Sequence, residues 1–474
     1  MRIDLITYLQ KQILTADDRL RRYTYSPEGK KYPQRFMFKK IQKYVSDFVA
    51  KKQSNRLIII PGFRGVGKTT LMAQIASQYK IEIKHVLFLS VEDVRTYLDV
   101  GITEIASAYE QILGQNLEAI KEPVLIFLDE IQSDPKWAFA LKSLYEKTTN
   151  VFFCCTGSSA VVLQTTSDLA RRAIFEKLPP MCFTEFEMVK NGIFPTPGLK
   201  ESIRQIIYFS KDAQEVHEKL TQIRSSVNQY WAKVDRKDIT PYLSFGSLPF
   251  TLRLPTETMA YDQILLLLGR IIEKDLPSLG GFDKETLGSV KRILLAISED
   301  DQTSLNTLEK SIRINRLTIA NLLEALEKSE VLIKIPAYGS NMTVAKKANK
   351  YLFMSPALRM SFFYVTGQES TYQTRRGKLL EDSVGAHLYR EFIMKQQGAF
   401  RYDSAEGGAD FILQIQNTKQ IIIEVSMSEK TNKQILASSK KIKSNYNIVY
   451  SQRELRLDQD NKIVSVPLDY YFLM

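Results

Sequence analysis

The feature that most constrains this chain is one glycine-rich octapeptide, Gly62-Phe63-Arg64-Gly65-Val66-Gly67-Lys68-Thr69, lodged between two segments of different pattern. Ahead of it, RLIIIPG is a continuous apolar run, the texture of a strand buried on both faces of a parallel sheet. Behind it, from Thr70 onward, TLMAQIASQ has the periodicity of a helix. A strand that turns over glycines straight into a helix curls its backbone N–H groups around a hollow at the positive end of that helix, and such a hollow holds phosphate. Lys68 is then placed to reach the β- and γ-phosphates of a nucleotide, and the Thr69 hydroxyl to ligate Mg²⁺. ATP and Mg²⁺ are the cofactors this pattern implies.

The alternation of apolar runs and amphipathic segments continues through KHVLFLSV, VLIFLDE and NVFFCCTGSS, as expected of βαβ units in an α/β fold. The run at 124–130 ends in Asp129 and Glu130. At the carboxyl edge of a sheet, Asp129 can hold Mg²⁺ through water and Glu130 can polarise an attacking water, which hydrolysis needs and mere binding does not. The strand at 151–155 delivers Thr156-Gly157-Ser158-Ser159 to the same edge, where a Thr156 or Ser158 hydroxyl can sense the γ-phosphate or position the water. Arg171 and Arg172, in DLARRAIFEKL, are the cations available to a transition state; they also suit a plain charged surface. Such an arginine can act within its own chain or on a neighbour, so a homo-oligomer is compatible with the sequence.

Composition narrows the class. With 474 residues, and about 150 residues per domain, some three domains are expected. Hydrophobic residues at 44% and charged residues at 25% exclude disordered, collagen-like and disulfide-dense chains. The net charge of +12 is compatible with nucleic acid, duplex DNA included, or another polyanion as partner. Cys154 and Cys155 are neighbours in an apolar run, a poor geometry for a disulfide and a good one for reduced, buried thiols. His85, His217 and His387 stand beside no cysteine cluster, so no zinc site is expected. No signal peptide or membrane-spanning run is visible, and a soluble, cytoplasmic protein without a membrane partner is expected.

The run LDEIQSDPKWAFALKSLYEKTTNVFFCCTGSSAVVL, with the LARR and LPPMCFTEFEMV that follow, resembles the AAA-type P-loop ATPases of bacteria and archaea often called the archaeal ATPase group. Asp129-Glu130-Ile131-Gln132, the segment 156–160, Leu169 with Arg172, and the segment 178–186 occupy that family's motif positions. The match departs at Ala170 and Arg171, which replace the usual glycine neighbourhood and leave open which arginine acts. The resemblance implies a P-loop ATPase parallel sheet with a helical lid, a winged helix-turn-helix and a C-terminal restriction-endonuclease-like α/β domain. The corresponding spans are an N-terminal helical segment at 1–54, the ATPase core at 55–190, the lid at 199–285, the winged helix at 286–366 and the nuclease-like domain at 367–474.

Two amphipathic segments at 304–311 and 317–328, followed by VLIKIPAYGS and KKANKYLFMSP, give the order helix, helix, ribbon. Asn315, Arg316, Thr318 and Asn321 are the residues that can meet DNA bases, and Lys346, Lys347 and Lys350 those that can meet phosphate. In the C-terminal span, Glu381, Asp410 and Glu424 follow the Glu…Asp…Glu-x-Lys order of the PD-(D/E)xK nucleases, whose carboxylates hold Mg²⁺. The lysine of that motif is replaced by Ser426; Lys430 or Lys433 can swing back in its place, or the domain keeps the fold without cleavage. Lys430, Lys433, Lys440, Lys441 and Lys443 also form a stripe suited to a phosphate backbone. The reading that follows is an ATPase switch coupled to DNA or a protein partner. An ATP-gated DNA nuclease and a non-hydrolysing nucleotide-bound scaffold are the alternatives.

Overall fold

The computed structural model describes every residue except 1–2, 53–54, 159–166, 301, 303, 368–371, 417–418 and 427–432. It divides into two compact units, Met1–Pro179 and Pro180–Met474.

The first unit is built on five parallel strands: β1 (Leu57–Pro61), β2 (His85–Ser90), β3 (Val124–Asp129), β4 (Val151–Gly157) and β5 (Ile174–Phe175). Their order across the sheet is β2-β3-β4-β1-β5. The apolar runs read from the sequence become strands for the expected reason: every residue of β1, β3 and β4 is buried, because helices cover both faces. Pro61 lies opposite Gly157 and Ser90 opposite Asp129, so the strands end together at one carboxyl edge. The N-terminal helices α1 (Ile3–Leu14), α2 (Ala16–Thr24) and α3 (Met37–Val49) are built into this unit. Leu5 and Leu9 share a core with Leu57 and Ile59, and Arg19 donates to the Phe88 carbonyl at 3.3 Å. Cys154 and Cys155 here, and Cys182 in the second unit, are buried and unbridged, and burial pushes the Cys154 thiol up to about 12.

In the second unit a two-stranded ribbon, β6 (Leu332–Ile335) and β7 (Lys350–Phe353), precedes a six-stranded mixed sheet. That sheet comprises β8 (Gly398–Arg401), β9 (Phe411–Ile415), β10 (Lys419–Val425), β11 (Tyr446–Ser451), β12 (Arg456–Asp458) and β13 (Ile463–Pro467), in the order β12-β13-β11-β10-β9-β8. Strands β10, β11 and β13 run parallel; the rest pair antiparallel. The helices Leu199–Phe209, Ala213–Gln222 and Arg224–Trp231, expected as a lid, share one core with this sheet. The Tyr208 and Tyr450 hydroxyls meet at 3.0 Å, the Tyr446 hydroxyl donates to the Ile207 carbonyl at 2.8 Å, and the Trp231 indole donates to the Asp469 carbonyl at 2.9 Å.

The helix, helix, ribbon order is present as Leu305–Ile312, Arg316–Lys328 and the antiparallel pair β6–β7. Ser304 and Asn315 cap the two helices by accepting from the N–H groups of Thr307 and Thr318 at 3.1 and 2.8 Å. A clasp follows it. Arg359, on the helix Pro356–Val365, forms a two-pronged pair with Asp382 at 2.6 and 2.9 Å, and neither side chain has any exposed surface. Arg359 also donates to the carbonyls of Ile297 and Ser298 at 3.2 and 2.8 Å, and Asp382 accepts from the Phe353 N–H at 2.9 Å. Every charge in the clasp is thereby met, the condition under which burying ions is tolerable. Among the described residues no helix is long and apolar enough to cross a membrane.

Candidate functional site

The octapeptide leaves β1 and enters α4 (Lys68–Tyr79) through two glycines in left-handed backbone, Gly65 at φ 80° and Gly67 at φ 92°. Gly62 is fixed for another reason: a Cβ there lies 2.4 Å from the Leu178 carbonyl oxygen, inside any tolerable contact. The buried Lys68 ammonium is drawn back over the loop, donating to the carbonyls of Gly62 at 2.9 Å and Phe63 at 3.1 Å. From outside, the buried Arg35 donates to the carbonyls of Val66 and Pro179, each at 2.9 Å, and so braces the loop. Nothing in the KKYPQRF segment marks Arg35 for that task.

The register carries the second half of the site. Leu128 lies opposite Cys155, so the next residues on each strand, Asp129 and Thr156, meet. The Thr156 hydroxyl donates to Asp129 Oδ1 and accepts from the Glu130 N–H at 3.3 Å, while the Thr69 hydroxyl donates to Asp129 Oδ2 at 2.8 Å. Burial first and the adjacent Glu130 charge second push the Asp129 carboxyl up to about 6, against the hydrogen bonds from Thr156 and Thr69 and the charge of Lys68. Glu130 itself stands at φ 54°, a strained conformation for a residue with a side chain and one that collects at functional sites. Gln132 completes the edge: its amide N–H donates to Glu130 Oε2 and its carbonyl accepts from the Ser158 N–H at 3.3 Å.

Several expectations are thereby sharpened. Of the two hydroxyl candidates, Thr156 is the one bonded to Asp129, because β4 continues through Gly157 and turns Thr156 toward β3; Ser158 enters through its backbone. Gln132 was quoted only as part of a motif and proves to bridge the two strand ends. Tyr23 of α2 is a further neighbour, its phenol pushed up by burial and then by the Asp129 charge. Arg172 pairs with Glu146 at 2.5 Å on the helix Trp137–Lys147, while Arg171 is exposed on the turn after 167–170. Ser159 and Ala160 lie outside the described residues. A nucleotide and Mg²⁺ suit what is present: left-handed glycines with N–H groups to offer, a buried ammonium, and a hydroxyl and a carboxylate already paired as hard oxygen donors.

Residues 54–187 match the family described as an AAA domain, and residues 236–369 match a domain of unknown function. The chain is 32% identical over 458 residues to the uncharacterized protein MJ1637 of Methanocaldococcus jannaschii, covering 95% of this chain and 90% of that one. The chain belongs to the MJ1637 family. A second protein of the same organism, the uncharacterized protein MJ1544, is 22% identical over 435 residues, covering 88% and 84%. Among solved structures, the Walker-type ATPase of Pyrococcus abyssi aligns over 68% of this chain and 95% of its own, at 12% identity and a TM-score of 0.38. The match over residues 54–187 gives this MJ1637-family member an AAA-type P-loop ATPase domain, on its five-stranded parallel sheet.

In the second unit of this MJ1637-family protein, Glu381 on the helix Tyr372–Leu388, Asp410 ahead of β9 and Glu424 on β10 do come together. The Asp410 N–H donates to Glu424 Oε2 at 3.3 Å, and Asp410 Oδ2 accepts from the Val425 N–H at 2.9 Å. What sits among them corrects an expectation. Lys350, read as a surface cation facing phosphate, is 3% exposed, ion-paired with Glu381 and 3.6 Å from Asp410 Oδ1. The first residue of β7 is directed inward, over the Phe411 ring at 5.4 Å, because the ribbon packs its face against the carboxylates. Burial first and the Asp410 charge second push the Glu424 carboxyl up to about 9, which favours its protonated form.

These carboxylates do not fit a divalent cation. Their charge is met by an ammonium of the protein itself, one oxygen each of Asp410 and Glu424 accepts from a backbone N–H, and among the described residues no group of His, Cys, Asp or Glu is arranged to hold a metal. Lys430 lies outside the described residues, and Lys433, Lys440, Lys441 and Lys443 are exposed. Lys350→Ala, which removes the counter-ion, is expected to create a Mn²⁺ site that the wild type lacks. Electron paramagnetic resonance titration of nucleotide-free protein reads it as one additional bound ion, and equal Mn²⁺ binding by the two proteins contradicts it.

Proposed function

We propose that this chain is a Mg²⁺-dependent ATPase whose nucleotide cycle in the first unit switches the binding of duplex DNA by the second. The observation that carries the ATPase reading is the linked edge in which Thr156 ties Asp129 to Glu130 while Thr69 reaches the same aspartate. A site that only stores nucleotide has no use for a second carboxylate held in strained backbone beside the first.

Each residue has a task. The left-handed glycines and the start of α4 receive the phosphates, and Lys68 leaves its loop carbonyls to neutralise them. Thr69 and Asp129 supply the oxygens that would hold Mg²⁺, whose charge lowers the cost of charge building on the transferred phosphoryl group. Glu130, aimed by Gln132, takes the proton of the attacking water. Arg171, exposed on the turn after residues 167–170, is the cation placed to act on a neighbouring copy. The DNA half of the reading is supported by the net charge of +12 and by the exposed lysines Lys433, Lys440, Lys441 and Lys443 beside the C-terminal sheet. The exposed Asn315, Arg316 and Asn321 of the helix–helix–ribbon segment add to it.

ATP turnover measured with and without duplex DNA at modest salt, on wild type and Lys68→Ala, tests both halves. Turnover raised by DNA and lost in the variant is the expected result. A Lys68→Ala protein that binds DNA like the wild type, with and without ATP, removes the switch and leaves only the ATPase.

A further inference from the structure

The second unit contains a cavity of about 520 Å³ that none of the preceding assignments uses. It opens where two parallel strands stop: Gln452–Leu455 follow β11, and Pro467 ends β13 with Leu468–Tyr470 after it. The carboxyl ends of parallel strands are where α/β sheets collect ligands, since the chain there must turn away and leaves a crevice. The lining is strongly cationic. Arg224, Arg236, Arg376 and Arg453 contribute to it, against the two carboxylates of Glu454 and Asp469.

One of these pairs is already spent. Arg236 bonds Asp469 at 2.7 Å and lies over the Trp231 ring at 5.0 Å. Among the described residues, three arginines then face a single exposed glutamate. The Nε of Arg376 is buried and has no hydrogen-bond partner among the described residues. A buried donor left unsatisfied costs stability unless something arrives to accept from it, and a guanidinium fork matches the oxygens of phosphate. Val227, Ile239, Leu455 and Pro467 supply an apolar wall beside the charged one. The volume is that of a small-molecule site, and too large for a bare anion.

We infer that this cavity binds a phosphorylated nucleoside, its phosphate on Arg376 and Arg453 and its base or sugar against the apolar wall. The shared chemistry admits two sources, a free nucleotide or the terminal nucleotide of a nucleic-acid strand. The site is independent of the ATPase reading, and the test separates the two by using the full chain with Lys68→Ala in the background. Fluorescent AMP, and separately a 5′-phosphorylated tetranucleotide, are titrated by anisotropy against that protein and against the same protein carrying Arg376→Gln and Arg453→Gln. Binding of AMP weakened roughly tenfold or more by the two substitutions supports the site and names a free nucleotide as its ligand. Binding of the tetranucleotide alone, weakened by the same substitutions, supports the site and names a strand end. Arg224→Gln, at an exposed helix start, repeats the test with little risk to folding, and a several-fold loss is expected. Absence of binding by both probes, or binding indifferent to all three substitutions, overturns the inference.

Discussion

Glu130→Gln is expected to lower ATP turnover by about 10²–10⁴-fold, the range over which a positioned general base contributes, while nucleotide affinity stays within a few-fold of wild type. The substitution is nearly isosteric, and the amide can keep the contact with Gln132 that holds the side chain. It leaves untouched the contacts made by the Glu130 backbone, whose N–H donates to Thr156. What disappears is the capacity to take a proton. Thr69, Lys68 and the left-handed glycines, to which the proposed function assigns the phosphates and Mg²⁺, keep their positions. A single-turnover assay beside equilibrium binding of a fluorescent ATP separates the two quantities. Turnover in the variant within tenfold of wild type shows that another group activates the water. An equal fall in binding shows that Glu130 serves the pocket's shape.

The second large effect concerns folding. Asp382→Ala is expected to cost the second unit about 3–5 kcal/mol, the penalty for leaving a buried partner charge uncompensated. Arg359 has no exposed surface and cannot turn outward to water, and its bonds to the Ile297 and Ser298 carbonyls carry no counter-charge. The loss also strands the Phe353 N–H, which ends at Asp382 Oδ1. Replacing both partners, Arg359→Met with Asp382→Leu, is expected to recover part of the loss, because the charge is gone while the stranded N–H and carbonyls remain. Urea titration followed by far-UV circular dichroism measures both. A single substitution costing under about 1 kcal/mol indicates that water enters the clasp.

Much of the first unit could be read from the chain because its chemistry is contiguous. A phosphate loop must sit between one strand and one helix, so Gly62 to Thr69 announce themselves, and Asp129 and Glu130 are marked by ending an apolar run. The bracing residues could not be read. Arg35 and Gln132 act through partners that only the fold brings near, and choosing Thr156 over Ser158 required knowing that β4 runs one residue past the threonine. The helices at 199–231 show the same limit in another form. Amphipathic spacing tells that Ile203 and Ile207 are buried and is silent about what buries them, which is the C-terminal sheet. Lys350 is the sharpest case. In sequence it closes a lysine-rich connection and resembles its exposed neighbours Lys346 and Lys347; in space it is the cation of a carboxylate cluster.

The strand order of the first unit has a consequence for synthesis. Among the described residues β1, which launches the phosphate loop, pairs with β4 and β5, while its successor β2 sits at the far edge beside β3. The strands that pair with β1 are made only after β2 and β3, and the wall behind Gly62 is the carbonyl of Leu178. Non-local pairing of this kind forms late and slowly. On the ribosome, the loop that is read first is thus among the last parts to take shape, and a nascent chain halted before β4 has its glycines and its lysine but no pocket to put a nucleotide in.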